Sequence, residues 1–289
     1  METIAIIGVG LIGGSFAKGI KRLYPESNII GFDSNESHLK EALALGLIDE
    51  KGNDSTISAA EMVLVTIPVD VLVKELPIIL NEINDDCVVI DAGSTKALLC
   101  TTVEDHPKRR NYLSCHPIAG TEFSGPSAAF DGLYEGKTNI ICEVEKTAFK
   151  LQEKALNLFQ QLGMRIRYMN PKAHDKHIAY VSHLSHISSF MLGKTVIEEE
   201  RNERDIFDMA GSGFESTVRL AKSSPDMWTP IFEQNRANVI KSLEEYIKNL
   251  QAFKRMMEED DFAGIYNEMN NTNRIQQILK GIPLTKTPK

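Results

Sequence analysis

The sequence predicts an α/β chain in two parts: a doubly wound parallel sheet over residues 1–170 and an all-α region over residues 171–289. Three observations carry that reading. Short β-branched runs without polar–apolar alternation are separated by amphipathic stretches through the first part, as in a parallel sheet covered on both faces. The strand signal then stops near Pro171. Finally, the first strand runs straight into a glycine-rich turn that opens a helix.

Taken in order, TIAIIG (3–8) is the first strand, LIGGSFAKGIKRL (11–23) the first helix and NIIGFD (28–33) the second strand. SHLKEALALG (37–46) is a helix closed by Gly46, which lacks the Cβ that opposes a left-handed end. MVLVTIP (62–68) and CVVIDAG (87–93) are strands flanking the helix VDVLVKELPIILNEI (69–83). STKALLCTTVED (94–105) reads as a helix opened by Ser94 or Thr95. NYLSC (111–115), TNIICEV (138–144) and RIRYM (165–169) are the later strands, with the helix TAFKLQEKALNLFQQLG (147–163) between the last two. Beyond Pro171, helical spacing runs through residues 174–200, 215–224, 227–259 and 261–281, and a short PLTKTPK end follows.

Composition narrows the function. At 42% hydrophobic and 25% charged, the 289 residues can bury a sizeable core. A formal charge of −8 argues against a general nucleic-acid binder, which needs a basic surface. The short Lys108-Arg109-Arg110 run reads as a solvated turn. Nothing approaches the about 18 uninterrupted apolar residues of a membrane span, and METIAIIGVG enters a strand without a basic leader. Cys87, Cys100, Cys115 and Cys142 show no CxxC pair or metal-ligand spacing, so buried free thiols in a reducing cytosol are expected. The expectation is a cytoplasmic protein with no metal and neither nucleic-acid nor membrane partners.

Gly8-Val9-Gly10-Leu11-Ile12-Gly13 forms a GxGxxG turn between strand and helix, the context that a dinucleotide fingerprint requires. The first glycine permits the turn and the second lets a pyrophosphate approach the backbone. The third packs helix on strand, with the helix N-terminus facing the phosphates. Asp33, twenty positions after Gly13, would accept from the ribose hydroxyls, and no arginine follows to hold a 2′-phosphate. These features predict a Rossmann-type domain that takes NAD. Thr66, Pro68 and Ser94, at later carboxyl strand ends, would border the nicotinamide side.

His116 opens HPIAGTEFSGPSAAFDG, a long irregular stretch after a strand. At that edge it could take the hydroxyl proton during hydride transfer, with Ser94 bonding the imidazole or the substrate. His183 and His186 share a helix face, and His174, nine positions before His183, falls roughly opposite as a structural or interfacial residue. The pair suits polar substrate contacts or a satisfied buried cluster better than a metal. Gly211 and Gly213 precede a helix that carries Arg219, a residue suited to bidentate carboxylate binding.

Together, GVGLIGGS, DAGSTK, HPIAGTEFSGP, HDKHIAYVSHLSH and GFESTVRLAKSSPDMW resemble the prephenate and arogenate dehydrogenase family, in order and over almost the whole chain. The resemblance implies oxidative decarboxylation of prephenate, or of arogenate, by NAD, with the helical region as a homodimerisation domain. It implies His116 as proton acceptor, oriented by Ser94. Arg219 would bind a substrate carboxylate and His186 would add a polar contact. Glu122 would belong to a gating or pocket-shaping network, and Trp228 to the substrate-side wall or a dimer contact. Ser185 and Ser212 stand where the family often has proline and glycine. Neither a fused chorismate mutase nor an ACT domain is expected. Two other readings remain. A β-hydroxyacid dehydrogenase would use Lys176 or Lys194, which lack the usual glycine-asparagine context, and a non-catalytic NAD-sensing dimer would not need His116, Ser94 and Arg219 together.

Overall fold

The computed structural model describes residues 2–53, 56–201 and 205–280. The PLTKTPK end lies outside the described residues. Eight strands form one sheet: β1 (Thr3–Ile7), β2 (Asn28–Phe32), β3 (Glu50–Lys51), β4 (Met62–Val65), β5 (Val88–Asp91), β6 (Tyr112–Pro117), β7 (Thr138–Cys142) and β8 (Arg165–Met169). Helices α1 (Leu11–Leu23), α2 (Glu36–Ala44), α3 (Val69–Glu82), α4 (Ala97–Thr102) and α5 (Phe149–Gln161) lie between them.

The sheet order is β3-β2-β1-β4-β5-β6-β7-β8, so the chain reverses direction across the sheet between β1 and β4. Strand residues alternate between two cores. Ile4, Ile6, Met62, Leu64, Val88 and Ile90 face a cluster that includes α1, α2 and α5. Ala5, Val63, Val65 and Val89 face α3 and α4. Burial on both faces is why these strands read as continuous apolar runs.

One strand pairing differs from the wholly parallel sheet read from the sequence. β7 runs antiparallel to β6, with His116 opposite Ile140, and β8 is parallel to β7. An antiparallel neighbour needs no crossover, so the chain can turn back at the edge where it arrived. Residues 118–137 therefore stay at the carboxyl edge of β6. They pack there: Tyr134 stacks on Phe16 at 4.2 Å and donates to the Ile12 carbonyl at 2.6 Å. The irregular stretch after His116 is thus built onto the start of α1.

The remaining helices are α6 (Pro171–Ile178), α7 (Leu184–Glu200), α8 (Ser212–Val218), α9 (Pro225–Gln234), α10 (Arg236–Glu258), α11 (Phe262–Thr272) and α12 (Ile275–Lys280). Five helix readings change: the 215–224 helix runs instead over Ser212–Val218 and ends in a 3-10 turn to Lys222, the 261–281 helix divides into α11 and α12, and three others differ as follows. The 94–105 helix begins only at Ala97, so neither Ser94 nor Thr95 caps it. The 174–200 helix is interrupted by a wide π turn over Ala179–His183. The 227–259 helix is divided at Asn235, whose side chain bonds elsewhere. By packing, the chain forms two compact units, one up to Asn235 and one from Arg236 onward. Among the described residues no helix is long and apolar enough to cross a membrane.

Candidate active site

The glycine turn follows β1 at the point where the sheet order reverses. Gly8 has φ +92°, and a Cβ there would stand 2.8 Å from the Thr66 carbonyl oxygen. A Cβ on Gly13 would meet the Gly8 carbonyl oxygen at 2.0 Å. At Gly10 the nearest atom would be 4.0 Å away, so the middle of the turn presents bare backbone to open space. That is the cradle a pyrophosphate needs. Thr66 supports the turn from β4 by donating its hydroxyl to the Gly8 carbonyl at 2.6 Å. Val9 and Leu11 bury their side chains and Ile12 packs on the same core, which leaves their backbone for a ligand. Pro68 stands just before α3.

Asp33, just past β2, is already oriented. Its carboxylate accepts from the Val9 N–H at 3.1 Å and the Asn35 N–H at 2.9 Å. Two acceptors in fixed positions with lone pairs remaining fit a ribose diol. Glycine turn, helix and acid therefore all fit NAD.

His116 lies half-buried at the carboxyl end of β6. Its Nδ1 is 2.8 Å from Nε2 of His174, and His174 Nδ1 is 2.8 Å from Asp175 Oδ1. Asp175 accepts in turn from the N–H groups of Lys96 at 2.8 Å and Ala97 at 2.9 Å, tying α6 to the start of α4. Burial would raise the Asp175 pKa, but hydrogen bonds from His174, Ala97 and Lys96 hold it below the ordinary value. An ionised Asp175 only accepts, so His174 Nδ1 carries a proton and its Nε2 a lone pair. His116 Nδ1–H must then donate to His174, which leaves His116 Nε2 unprotonated. Burial, then His174, Lys96 and His183, push the His116 pKa well below 6.5. A neutral imidazole with one free lone pair can accept a proton.

His174 was expected on the opposite side of its helix. Between it and His183 lies the π turn over Ala179–His183, where the regular helical phase does not hold. His183, within that turn, meets the Asn235 amide at 3.2 Å through Nδ1, and Asn235 also donates to the Asp175 carbonyl at 2.7 Å. The His183 pKa is lowered to about 4, chiefly by burial.

His186 stacks on Trp228 with ring centroids 3.5 Å apart. Its Nδ1 donates to the Ser182 carbonyl at 3.0 Å, and burial lowers its pKa. The buried Nε atoms of His183 and Trp228 have no hydrogen-bond partner among the described residues. Arg219, at the end of α8, donates to Glu122 at 2.9 Å. The Glu122 carboxyl lies below the ordinary value, first through its own backbone N–H and then through the Arg219 guanidinium. The structure thus joins His116 to His174, His186 to Trp228 and Arg219 to Glu122. Ser94 is half-buried in the turn between β5 and α4, and the imidazole's ring bond goes to His174 instead. His174 and Asp175 were missed as site residues, although the adjacent His-Asp of HDKH was their signal.

A glycine cradle at the sheet's switch point and a neutral imidazole at the end of β6 define a nicotinamide-dinucleotide-dependent dehydrogenase. Comparison narrows the class. The family model described as the prephenate dehydrogenase nucleotide-binding domain matches residues 16–168, and that for the prephenate dehydrogenase dimerization domain matches residues 170–271. The chain belongs to the prephenate dehydrogenase family of NAD-dependent oxidoreductases. A crystal structure of prephenate dehydrogenase from Aquifex aeolicus with hydroxyphenyl propionate and NAD+ has a TM-score of 0.86 at 32% identity, covering 96% of this chain and 98% of that one. Prephenate dehydrogenase of Bacillus subtilis is 28% identical over 98% of this chain and 76% of its own length. Cyclohexadienyl dehydrogenase of Zymomonas mobilis is 27% identical over 96% of each.

Proposed function

We propose that the protein oxidatively decarboxylates prephenate to 4-hydroxyphenylpyruvate, with His116 as the proton acceptor. The observation that carries this reading is the Asp175–His174–His116 chain, which leaves Nε2 of His116 as a lone-pair acceptor. His116 Nε2 takes the proton of the ring hydroxyl as the carbon bearing that hydroxyl becomes a carbonyl. NAD, held at Gly8–Gly13 and Asp33, supplies a hydride acceptor. Breaking the bond to the ring carboxylate sends its electron pair through the ring to the carbonyl oxygen. Carbon dioxide leaves, the ring becomes aromatic, and the phenolate recovers its proton from His116. Ser94, with no hydrogen-bond partner among the described residues, is free to bond the substrate hydroxyl or the nicotinamide amide.

Arg219 binds the substrate carboxylate in this reading. Its guanidinium is 47% exposed and paired with Glu122, so an incoming carboxylate exchanges with Glu122 at an accessible site. Glu122 thereby gates the pocket, and His186 on its Trp228 platform lines it. A second substrate, arogenate, is favoured by one observation. His186 uses Nδ1–H on Ser182, so its Nε2 offers an acceptor that suits an ammonium group.

The protein acts as a cytoplasmic homodimer, with the cofactor domain over residues 1–170 and the substrate and dimerisation domain over 171–289. The family match to a dimerization domain over residues 170–271 supports the homodimer. So does α10, where Ile240, Ile247, Leu250 and Met257 are exposed at spacings that share one face. The test is NADH formation with prephenate and with arogenate, each with NAD and NADP. Reduction with NAD and prephenate is expected, and no reduction with either substrate would sink the reading.

A further inference from the structure

Lys96 is fully buried, an unusual place for an ammonium group. Its Nζ contacts the Asp91 carboxylate and lies 2.6 Å from the carbonyl oxygen of Cys115. Asp91 accepts from the Cys115 N–H at 2.9 Å, the Tyr112 hydroxyl at 2.8 Å and the Gly93 N–H at 2.8 Å. Both polar backbone groups of the residue before His116 are therefore held by one buried ion pair.

The sheet explains why a side-chain pair is needed there. β5 and β6 are paired only at Val89–Tyr112 and Ile90–Leu113. Beyond Leu113 the β5–β6 pairing ends, so Cys115 keeps its partner Ile141 on β7 but has none on β5. Asp91 and Lys96, at either end of the turn leaving β5, take the place of a β5 partner. A buried ion pair is a poor device for stability, because desolvation offsets most of the Coulombic gain. Here its geometry ends on the peptide that aims His116. The backbone N–H of Lys96 also bonds Asp175, so the same residue touches the other support of the imidazole.

We infer that Lys96 is a positioning residue for His116, gripping the Cys115 carbonyl through its ammonium group and Asp175 through its backbone. This rests on the reading of His116 as the base. The charged and titratable groups around that imidazole and its supports are His174 and Asp175 from α6, His183 from the π turn, and Lys96 and Asp91 from the ends of the β5–α4 turn. Of these, Lys96, His174 and His183 disfavour the imidazolium ion, after burial itself.

The test compares Lys96→Met and the double variant Asp91→Asn/Lys96→Met with the parent enzyme. The single variant leaves Asp91 as an unpaired buried carboxylate and could fail to fold, whereas the double variant removes both charges together. For the folded variants kcat should fall ~10-fold or more, as expected when a base is misplaced. The KM for NAD should stay within about twofold. In Lys96→Met alone the acid limb of kcat/KM should also move to higher pH, because a nearby cation is lost while Asp91 remains. A purely structural lysine would lower melting temperature while leaving the kcat of the folded double variant unchanged. Wild-type kcat in a folded double variant would overturn the inference while leaving His116 as base. Near-normal turnover of His116→Asn would remove the base reading, and the role of Lys96 with it.

Discussion

The cofactor crevice is made from one uninterrupted stretch of backbone, Gly8 to Gly13, with Asp33 and Thr66 bracing it from adjacent strands. The corner around His116 is made from side chains that arrive from residues 91–97, 116, 174–175 and 235. The first has no room for side chains at Gly8 and Gly13, and the second depends on side chains and on their protonation states. Substitutions in the crevice should therefore alter cofactor binding or folding, while substitutions in the corner should alter turnover and its pH dependence.

The sharpest test of that contrast is His116→Asn. Turnover should fall ~10²-fold or more, the usual contribution of a general base, while NAD affinity from a fluorescence titration stays near the parent value. Equal losses in both measurements would erase the distinction between the two regions.

Asp175→Asn probes the corner one step further from the reacting atoms. The neutral amide can donate as well as accept, so His174 is no longer held as its Nδ1–H tautomer and His116 loses its assigned donor role. A fall in kcat of ~10-fold or more is expected, with little change in the KM for NAD. If kcat stays within twofold, the hydrogen-bond chain does not set the tautomer of His116.

These two regions also differ in how far the sequence reveals them. The crevice was legible because its physics is local: Gly8 needs a positive φ, Gly13 cannot carry a Cβ, and Asp33 ends the next strand. The corner was legible only at His116. His174 joins this corner although helical spacing sets it apart from His183, and no residue in AYVSH announces the π turn between them. The long segment after His116 could be read as functional but not placed, since its position follows from the antiparallel β6–β7 pair. Lys96 reads as an ordinary helix residue until Asp91 and Cys115 are brought around it.

Crevice substitutions give the next smaller effect. Gly10→Ala adds a methyl where nothing of the protein stands closer than 4.0 Å. The fold should tolerate it, and the KM for NAD should rise about 3- to 10-fold with kcat nearly unchanged, because only binding common to ground and transition states is lost. Gly8→Ala, by contrast, meets the Thr66 carbonyl and a positive φ and should lower the melting temperature. A Gly10→Ala enzyme with wild-type KM would place the pyrophosphate away from this turn.

The smallest effect separates the regions by acid sensitivity rather than by rate. His183 titrates near 4 in the folded protein, below the about 6.5 of an exposed histidine, chiefly because it is buried. The unfolded chain therefore binds this proton first as pH falls, so the stability contributed by neutral His183 is complete above about pH 6.5 and is lost between there and about pH 4. Between pH 7 and pH 5 the loss is about 2 kcal/mol from this residue. Asp175 acts in the same direction but later, since its folded pKa is depressed and its contribution goes only as pH drops through that lowered value. Chemical denaturation of the parent and of His183→Gln at the two pH values measures the term directly. The variant, which cannot take up that proton, should lose less stability on acidification than the parent, even if it is weaker at pH 7. An equal loss in both proteins would assign the acid sensitivity to groups other than His183.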